Sequence, residues 1–208
     1  MSIDDIAKYK WGKDREILSG GIVHPDDRWF VDEHDTYTWY RAVAIKFQPR
    51  RIAELGVRYG YSAIALIRGA RPDSFVGIDG EADGVISNST ALKNITDSRN
   101  TTDVTRLTRV TIHAFNTRAQ FHAVIAAIGL CDMIHVDADH SPEGILLELD
   151  IARQVCDGTI LVDDCDVPHI LDAARRLASS KSAEFLILPT QHQLGVIMLP
   201  NQRGKFNV

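Results

Sequence analysis

Short apolar runs rich in β-branched residues alternate along the chain with longer segments whose apolar positions recur every three to four residues. The runs at 51–55, 74–79, 109–114, 132–137, 159–164, 184–188 and 194–199 predict seven strands. The segments between them predict helices. One spans 62–70, closed by Gly69 and Pro72, and one spans 117–129, ending at a glycine cap. A third, 142–155, has Ser141 as N-cap and Pro142 in the first turn, and a fourth spans 167–180, capped by Asp166. Residues 36–47 and a stretch near 86–97 also read as helical. Strand–helix alternation implies a parallel sheet with helices on both faces. The last two strands are joined only by PTQHQ (189–193), short enough for a hairpin, so the final strand should run antiparallel.

The chain has 208 residues, 45% of them hydrophobic, which suits one domain with a sizeable core. We read residues 1–45 as an N-terminal helical appendage and 46–208 as the core. A net charge of −5 and the lack of any Lys/Arg block argue against nucleic acid as a partner. No apolar stretch is long enough for a membrane span, and nothing at the N-terminus resembles a signal peptide. Cys131, Cys156 and Cys165 have no CxxC spacing and read as reduced, packed thiols, so a cytoplasmic location is expected.

Charge changes the picture most at two strand ends. The run DMIHVDADH (132–140) and the doublet ending ILVDD (160–164) each deliver carboxylates to the carboxyl edge of a parallel sheet, where such sheets bind ligands. Asp137, Asp139, Asp163 and Asp164 should converge there, with His140 beside them. Carboxylates gathered in one crevice repel unless a cation or shared proton offsets them.

A glycine turn follows the first strand: Glu54-Leu55-Gly56-Val57-Arg58-Tyr59-Gly60-Tyr61-Ser62. A dinucleotide fingerprint would need glycine where Arg58 stands. The loop instead resembles the ELGxxxGYS loop of the class I S-adenosylmethionine-dependent methyltransferases, in their catechol and caffeoyl-CoA O-methyltransferase branch. The resemblance covers about residues 45–180, with its motifs at 54–62, 132–140 and 161–164. It implies a Rossmann-like fold and S-adenosyl-L-methionine as cofactor. By resemblance, Gly56, Gly60 and Tyr61 lie along the methionine part, Ser62 binds its carboxylate, and Glu54 holds the loop or the ammonium. Asp79, ending the second strand, suits a carboxylate accepting the ribose hydroxyls. Phe115 or Asn116 would meet the adenine, and Asp137 borders both sites.

In that family a divalent cation is held by an Asp ending the fourth strand and an acidic or Asp-Asn pair ending the fifth. The resemblance therefore implies Asp137, Asp163 and Asp164 as ligands of Mg²⁺, a hard cation that prefers oxygen. Coordination lowers a hydroxyl's pKa and aligns it for attack on a sulfonium methyl. Asp164 stands where catechol-type members often carry Asn, which argues against a catechol acceptor specifically; acidic doublets occur in the related macrolide-sugar and cephalosporin-biosynthesis branches. His140 occupies the place of the catechol-type lysine base, and the sugar-modifying branch is similar to this chain in using histidine. Three roles stay open for His140: general base, metal ligand, or a loop histidine capping the next helix.

The expected reaction is O-methylation of a small hydroxylated molecule. A metal-dependent hydrolase and a non-catalytic nucleoside-binding protein are the alternatives; both leave part of the site unexplained. Trp29, Phe30, Tyr37, Trp39 and Tyr40, with His24 and His34, either cover the substrate pocket, staple the appendage to the sheet, or form a homodimer surface.

Overall fold

Strands that are apolar at successive positions need cover on both faces, and the chain supplies it. The computed structural model describes residues 1–10, 12, 35–80, 88–100 and 108–200. The elements run α1 (Ile3–Ala7), α2 (Thr36–Phe47), β1 (Arg51–Leu55), α3 (Tyr61–Ala70), β2 (Ser74–Asp79), α4 (Asn88–Asn100), β3 (Arg109–Ala114), α5 (Phe121–Ile128), β4 (Cys131–Val136), α6 (Pro142–Val155), β5 (Cys156–Val162), α7 (Pro168–Ser180), β6 (Glu184–Leu188) and β7 (Leu194–Met198). The strands form one sheet in the order β3-β2-β1-β4-β5-β7-β6. All pairings are parallel except those of β7, which is antiparallel to both β5 and β6, as the short hairpin requires. This is the expected Rossmann-like, mostly parallel seven-stranded sheet.

Strand alternation divides the core in two. Ile52, Met133 and Leu161 pack with α2 and α3, whereas Ala53, Ile134, Val136, Ile160 and Val162 pack with α5, α6 and α7. On the first face the parallel register sets Glu54 beside His135 on adjacent strands, so two polar side chains share an otherwise apolar layer. Helix α2 belongs to that layer: Trp39, Tyr40, Val43 and Phe47 are all buried in it, although the helix lies within the N-terminal appendage by sequence. Trp29, Phe30, His24 and His34 lie outside the described residues.

Caps explain most element ends. Ser141 accepts from the Gly144 N–H with Pro142 following, as expected, and Gly129 closes α5 with φ 63°. Two expectations are corrected. Helix α7 begins at Pro168 with Val167 at N-cap and no side-chain cap; the Asp166 carboxylate lies instead 3.6 Å from His192. Gly69 does not end α3, because the helix runs through it to Ala70 and closes with Arg71 in the left-handed region. Its role is close packing, since a Cβ there would sit 2.5 Å from the Arg41 carbonyl oxygen and 2.7 Å from the Ala44 Cβ.

That contact predicts an outcome opposite to helix propensity. Alanine is favoured over glycine by about 1 kcal/mol inside a helix, yet Gly69→Ala should destabilise the fold by about 1–3 kcal/mol by forcing α2 and α3 apart. Urea unfolding checks it; an unchanged or raised midpoint would show that the helices separate without cost.

Candidate active site

The two sequence motifs meet at the point where strand order reverses. β1 lies between β2 and β4, and chain leaves its carboxyl end toward one face while β4 delivers Asp137 alongside. The junction is made of backbone: Gly56 N–H donates to the Ile78 carbonyl and Asp137 N–H to the Leu55 carbonyl. Gly56 has φ 86°, and a Cβ on it would fall 2.0 Å from the Asp137 carbonyl oxygen. No other residue fits there, so the glycine loop is seated directly on the acidic loop.

The loop keeps a left-handed turn at Arg58, with φ 45°, despite its side chain. Its N–H donates to Asp79 Oδ2 at 2.7 Å, so Asp79 braces the loop from the end of β2. Gly60 is the N-cap of α3, whose first internal bond is Ile64 N–H to the Gly60 carbonyl. The first-turn amides of Tyr61, Ser62 and Ala63 precede that ladder and make an anion-attracting end. Ser62 lines the cavity at this end, while its hydroxyl donates to Glu54 Oε1. Glu54 itself has no exposed surface and accepts from His135 across a 2.8 Å contact. Of the two roles open to Glu54, the geometry favours holding the loop.

Asn116 is placed at the end of β3, where its Oδ1 accepts from the Ala119 N–H, and it does not appear among the cavity-lining residues. That hydrogen bond shapes the turn after β3. Phe115 stacks on His113 with ring centroids 5.4 Å apart.

Asp137, Asp163 and Asp164 converge as expected, each just past the end of β4 or β5. Burial is the largest influence on all three and pushes their pKa values up, with carboxylate neighbours adding to the effect. His140 Nε2 bridges the cluster, 3.2 Å from Asp137 Oδ1 and 3.1 Å from Asp164 Oδ2. The hydrogen bond to Asp137 and the surrounding carboxylate charge lift it to about 9. Without another cation, His140 is thus the cluster's own counter-charge. Asp139 turns away to Arg118 at 2.9 Å and accepts from the Ser141 N–H.

Several contributors were not read from the sequence as site residues. His192, on the β6–β7 turn, approaches Asp164 at 3.7 Å, and Gln191 and Asp166 line the same cavity. A loop histidine gives no local signal of what it faces. His135 did have a signal: a histidine inside an otherwise apolar strand must find a buried partner. Tyr37 and Tyr40, by contrast, were among the aromatics offered as pocket cover, and both line the cavity, Tyr37 meeting Tyr61 edge-on at 5.8 Å. All three cysteines are free and buried, and burial pushes the Cys165 thiol up to about 12, so none is an activated nucleophile.

The cavity has a volume of about 420 Å³ and joins the two halves: Gly56, Tyr61 and Ser62 on one side, Asp137, His140, Asp163 and Asp164 on the other. The ligand atoms of Asp137, His140 and Asp164 lie within 4.8 Å of one another, and Asp163 Oδ1 is buried without a hydrogen-bond partner. An oxygen-rich set with an orphaned carboxylate oxygen fits a hard divalent cation. His135, which also neighbours Asp137 and Asp163, is a poor ligand because both ring nitrogens are engaged, Nδ1 by Glu54 and Nε2 by Tyr40 at 3.1 Å.

Comparison with known proteins follows the same outline. The family profile of a methyltransferase domain matches residues 53–165. No curated protein sequence matches the chain. Among solved structures it is similar to the SAH-bound methyltransferase PaMTH1 of Podospora anserina, at 16% identity and TM-score 0.60, covering 94% of this chain and 88% of that one. An O-methyltransferase of Bacillus cereus in complex with SAH has 14% identity and TM-score 0.55, covering 94% and 90%. The O-methyltransferase TomG of Streptomyces achromogenes, involved in tomaymycin synthesis and solved with SAM, has 17% identity and TM-score 0.58, covering 96% and 91%. At these identities the likeness is one of fold.

Beneath the acidic loop, Glu148 of α6 is fully buried and accepts from the Asp139 N–H at 3.0 Å. Burial pushes its carboxyl from an ordinary 4.5 up to about 8, against the pull of those backbone donors. Since the folded state binds this proton more tightly, the group's stabilisation is complete below pH 4.5 and fades as pH rises through 8. Glu148→Gln keeps an accepting oxygen but cannot ionise. The stability of wild type relative to this variant should therefore fall by roughly 1–4 kcal/mol between those pH limits and then level. Urea titrations across that range test it, and a pH-independent difference would refute a protonated Glu148.

Proposed function

The chain belongs to the methyltransferase-domain family whose profile covers residues 53–165, and from that premise we propose that it transfers a methyl group from S-adenosylmethionine to a hydroxyl oxygen of a small molecule, with a divalent cation at the carboxylate cluster. One observation supports this most: a single cavity joins the glycine loop to Asp137, Asp163, Asp164 and His140. A hydrolase would use the carboxylates but not the glycine loop, and a nucleoside-binding module would use the loop but not the carboxylates.

In this reading the cofactor's methionine end lies along Gly56 and Gly60, with its carboxylate toward the amino end of α3 and Asp79 near the ribose. Bound S-adenosylmethionine supplies an electrophilic methyl group, and the solved neighbours bound to SAM or SAH support that choice. A bound cation would supply Lewis acidity to the acceptor hydroxyl and would be held by Asp137, Asp163 and Asp164. His140 accepts the hydroxyl proton. To do so it must be neutral, and in the cation-free cluster the carboxylates hold it protonated up to about pH 9. With a cation held there, Asp137 and Asp164 would no longer need the imidazolium's charge, and His140 would be free to act as base. The tyrosine wall of Tyr37 and Tyr40 suits an acceptor with an apolar ring or sugar face, and water excluded by that wall strengthens the electrostatics within.

Two outcomes are expected. S-adenosylhomocysteine should bind with a micromolar-range Kd in calorimetry, about −8 kcal/mol, and Asp79→Ala should weaken it by loosening the loop and removing the ribose acceptor; absence of S-adenosyl binding would end the reading. Methyl transfer from labelled cofactor to a panel of phenols and sugar hydroxyls should be lost on chelation. With an accepted substrate, His140→Ala should lower kcat by about 10²–10⁴. A near-wild-type rate would remove His140 as base, and a rate restored by excess Mg²⁺ would make it a ligand instead.

A further inference from the structure

One wall of the cavity is a continuous run of tyrosine rings. Tyr59 stacks on Tyr61 with centroids 5.6 Å apart, Tyr61 meets Tyr37 edge-on at 5.8 Å, and Tyr37 lies 6.0 Å from Tyr40. All four line the cavity. Tyr40, Tyr59 and Tyr61 are buried, whereas Tyr37 is half-buried. Tyr37 is the link between α2 and the first turn of α3. Its neighbour Thr36 accepts from the Gln191 N–H at 3.4 Å, on the turn whose His192 approaches Asp164 at 3.7 Å. Tyr37 therefore stands between the amino end of α3 and the carboxylate cluster. The Tyr37 and Tyr61 planes cross at 75°, and two rings near a right angle enclose a corner bounded by a face of each. Ring faces carry the negative part of the aromatic quadrupole and attract cations.

We propose that Tyr37 discriminates between the two forms of the cofactor: with Tyr61 it makes an aromatic corner that recognises the sulfonium charge of S-adenosylmethionine and not the neutral thioether left after transfer. The inference rests on the reading under Proposed function. In that reading the methionine carboxylate goes to the amino end of α3 and the transferred methyl points toward His140, so the sulfur joining them would pass the corner. Two positive charges must then share one pocket. A hard divalent cation takes carboxylate oxygens, whereas a polarisable sulfonium is well served by ring faces that cannot ligate the metal. Opposite walls thus attract the two charges by different means. Once the methyl has left, the thioether carries no charge and the corner no longer favours it. Tyr37 lies outside the matched residues 53–165, so this discrimination is furnished by α2 rather than by the part of the chain that defines the family.

Calorimetry on the full chain in saturating Mg²⁺, without an acceptor, compares S-adenosylmethionine with S-adenosylhomocysteine, which differ only in the methyl group and its charge. Tyr37→Leu removes the ring and keeps an apolar side chain. It should weaken S-adenosylmethionine about threefold or more beyond any change in S-adenosylhomocysteine, within the usual worth of a cation–π contact. Tyr37→Phe keeps the ring and should leave the ratio of the two Kd values within about twofold of wild type. The ratio is the readout because lost packing or a loosened loop would change both affinities alike. Tyr37→Met serves in the same way if Tyr37→Leu fails to fold. A ratio unchanged by removal of the ring, or already lost in Tyr37→Phe, would overturn the corner while leaving the proposed function standing. A wild type that binds neither ligand would instead overturn the proposed function, and the corner with it.

Discussion

Everything at this site depends on how negative charge is kept where the sheet ends. β4 and β5 deliver Asp137, Asp163 and Asp164 into a partly buried space, and Asp166 follows one turn later. Burial raises the cost of ionising the first three, and each makes the others costlier. The fold meets that constraint with imidazoles, His140 between Asp137 and Asp164 and His135 behind Asp163, while His192 lies 3.7 Å from Asp164 and 3.6 Å from Asp166.

The backbone makes this charge useful by placing it against the glycine loop. Gly56 packs on the Asp137 carbonyl so closely that no side chain intervenes, and the Leu55 carbonyl receives the Asp137 N–H. Displacing either loop displaces the other. Asp79 from β2 and Glu148 from α6 fasten the two loops from outside, the first through the Arg58 N–H and the second through the Asp139 N–H. Proximity of the two loops is in this way a property of sheet geometry rather than of long side chains.

Helix α2 ties the N-terminal region into the same arrangement. Its apolar side packs on α3 so tightly that Gly69 is needed at the crossing, while Tyr37 and Tyr40 face the cavity. Burial of this helix and shaping of the pocket are therefore one event. The aromatics that by sequence could have been wall, staple or dimer surface divide instead: Trp39 is packed in the core, and Tyr40 serves both core and cavity.

Strand positions, the antiparallel final hairpin and the charged strand ends were legible in the chain because each depends on local pattern: short continuous apolar runs, turn length, and an apolar run stopped by carboxylates. The loop at 54–62 was legible for the same reason, its glycines marking conformations that few other residues adopt. Partners across elements were not. That Glu54 neighbours His135 follows from the register of β1 on β4, and that Tyr40 reaches His135 follows from where α2 crosses the sheet. Asp166 reads locally as a helix cap, yet it faces His192 because the β6–β7 turn folds back over the carboxyl edge. Gly69 reads as a stop, yet a carbonyl from another helix explains it. Sequence specifies which groups each element presents and at which end; only tertiary packing decides which of them come within 4 Å, because that distance depends on crossings and registers that no single segment encodes.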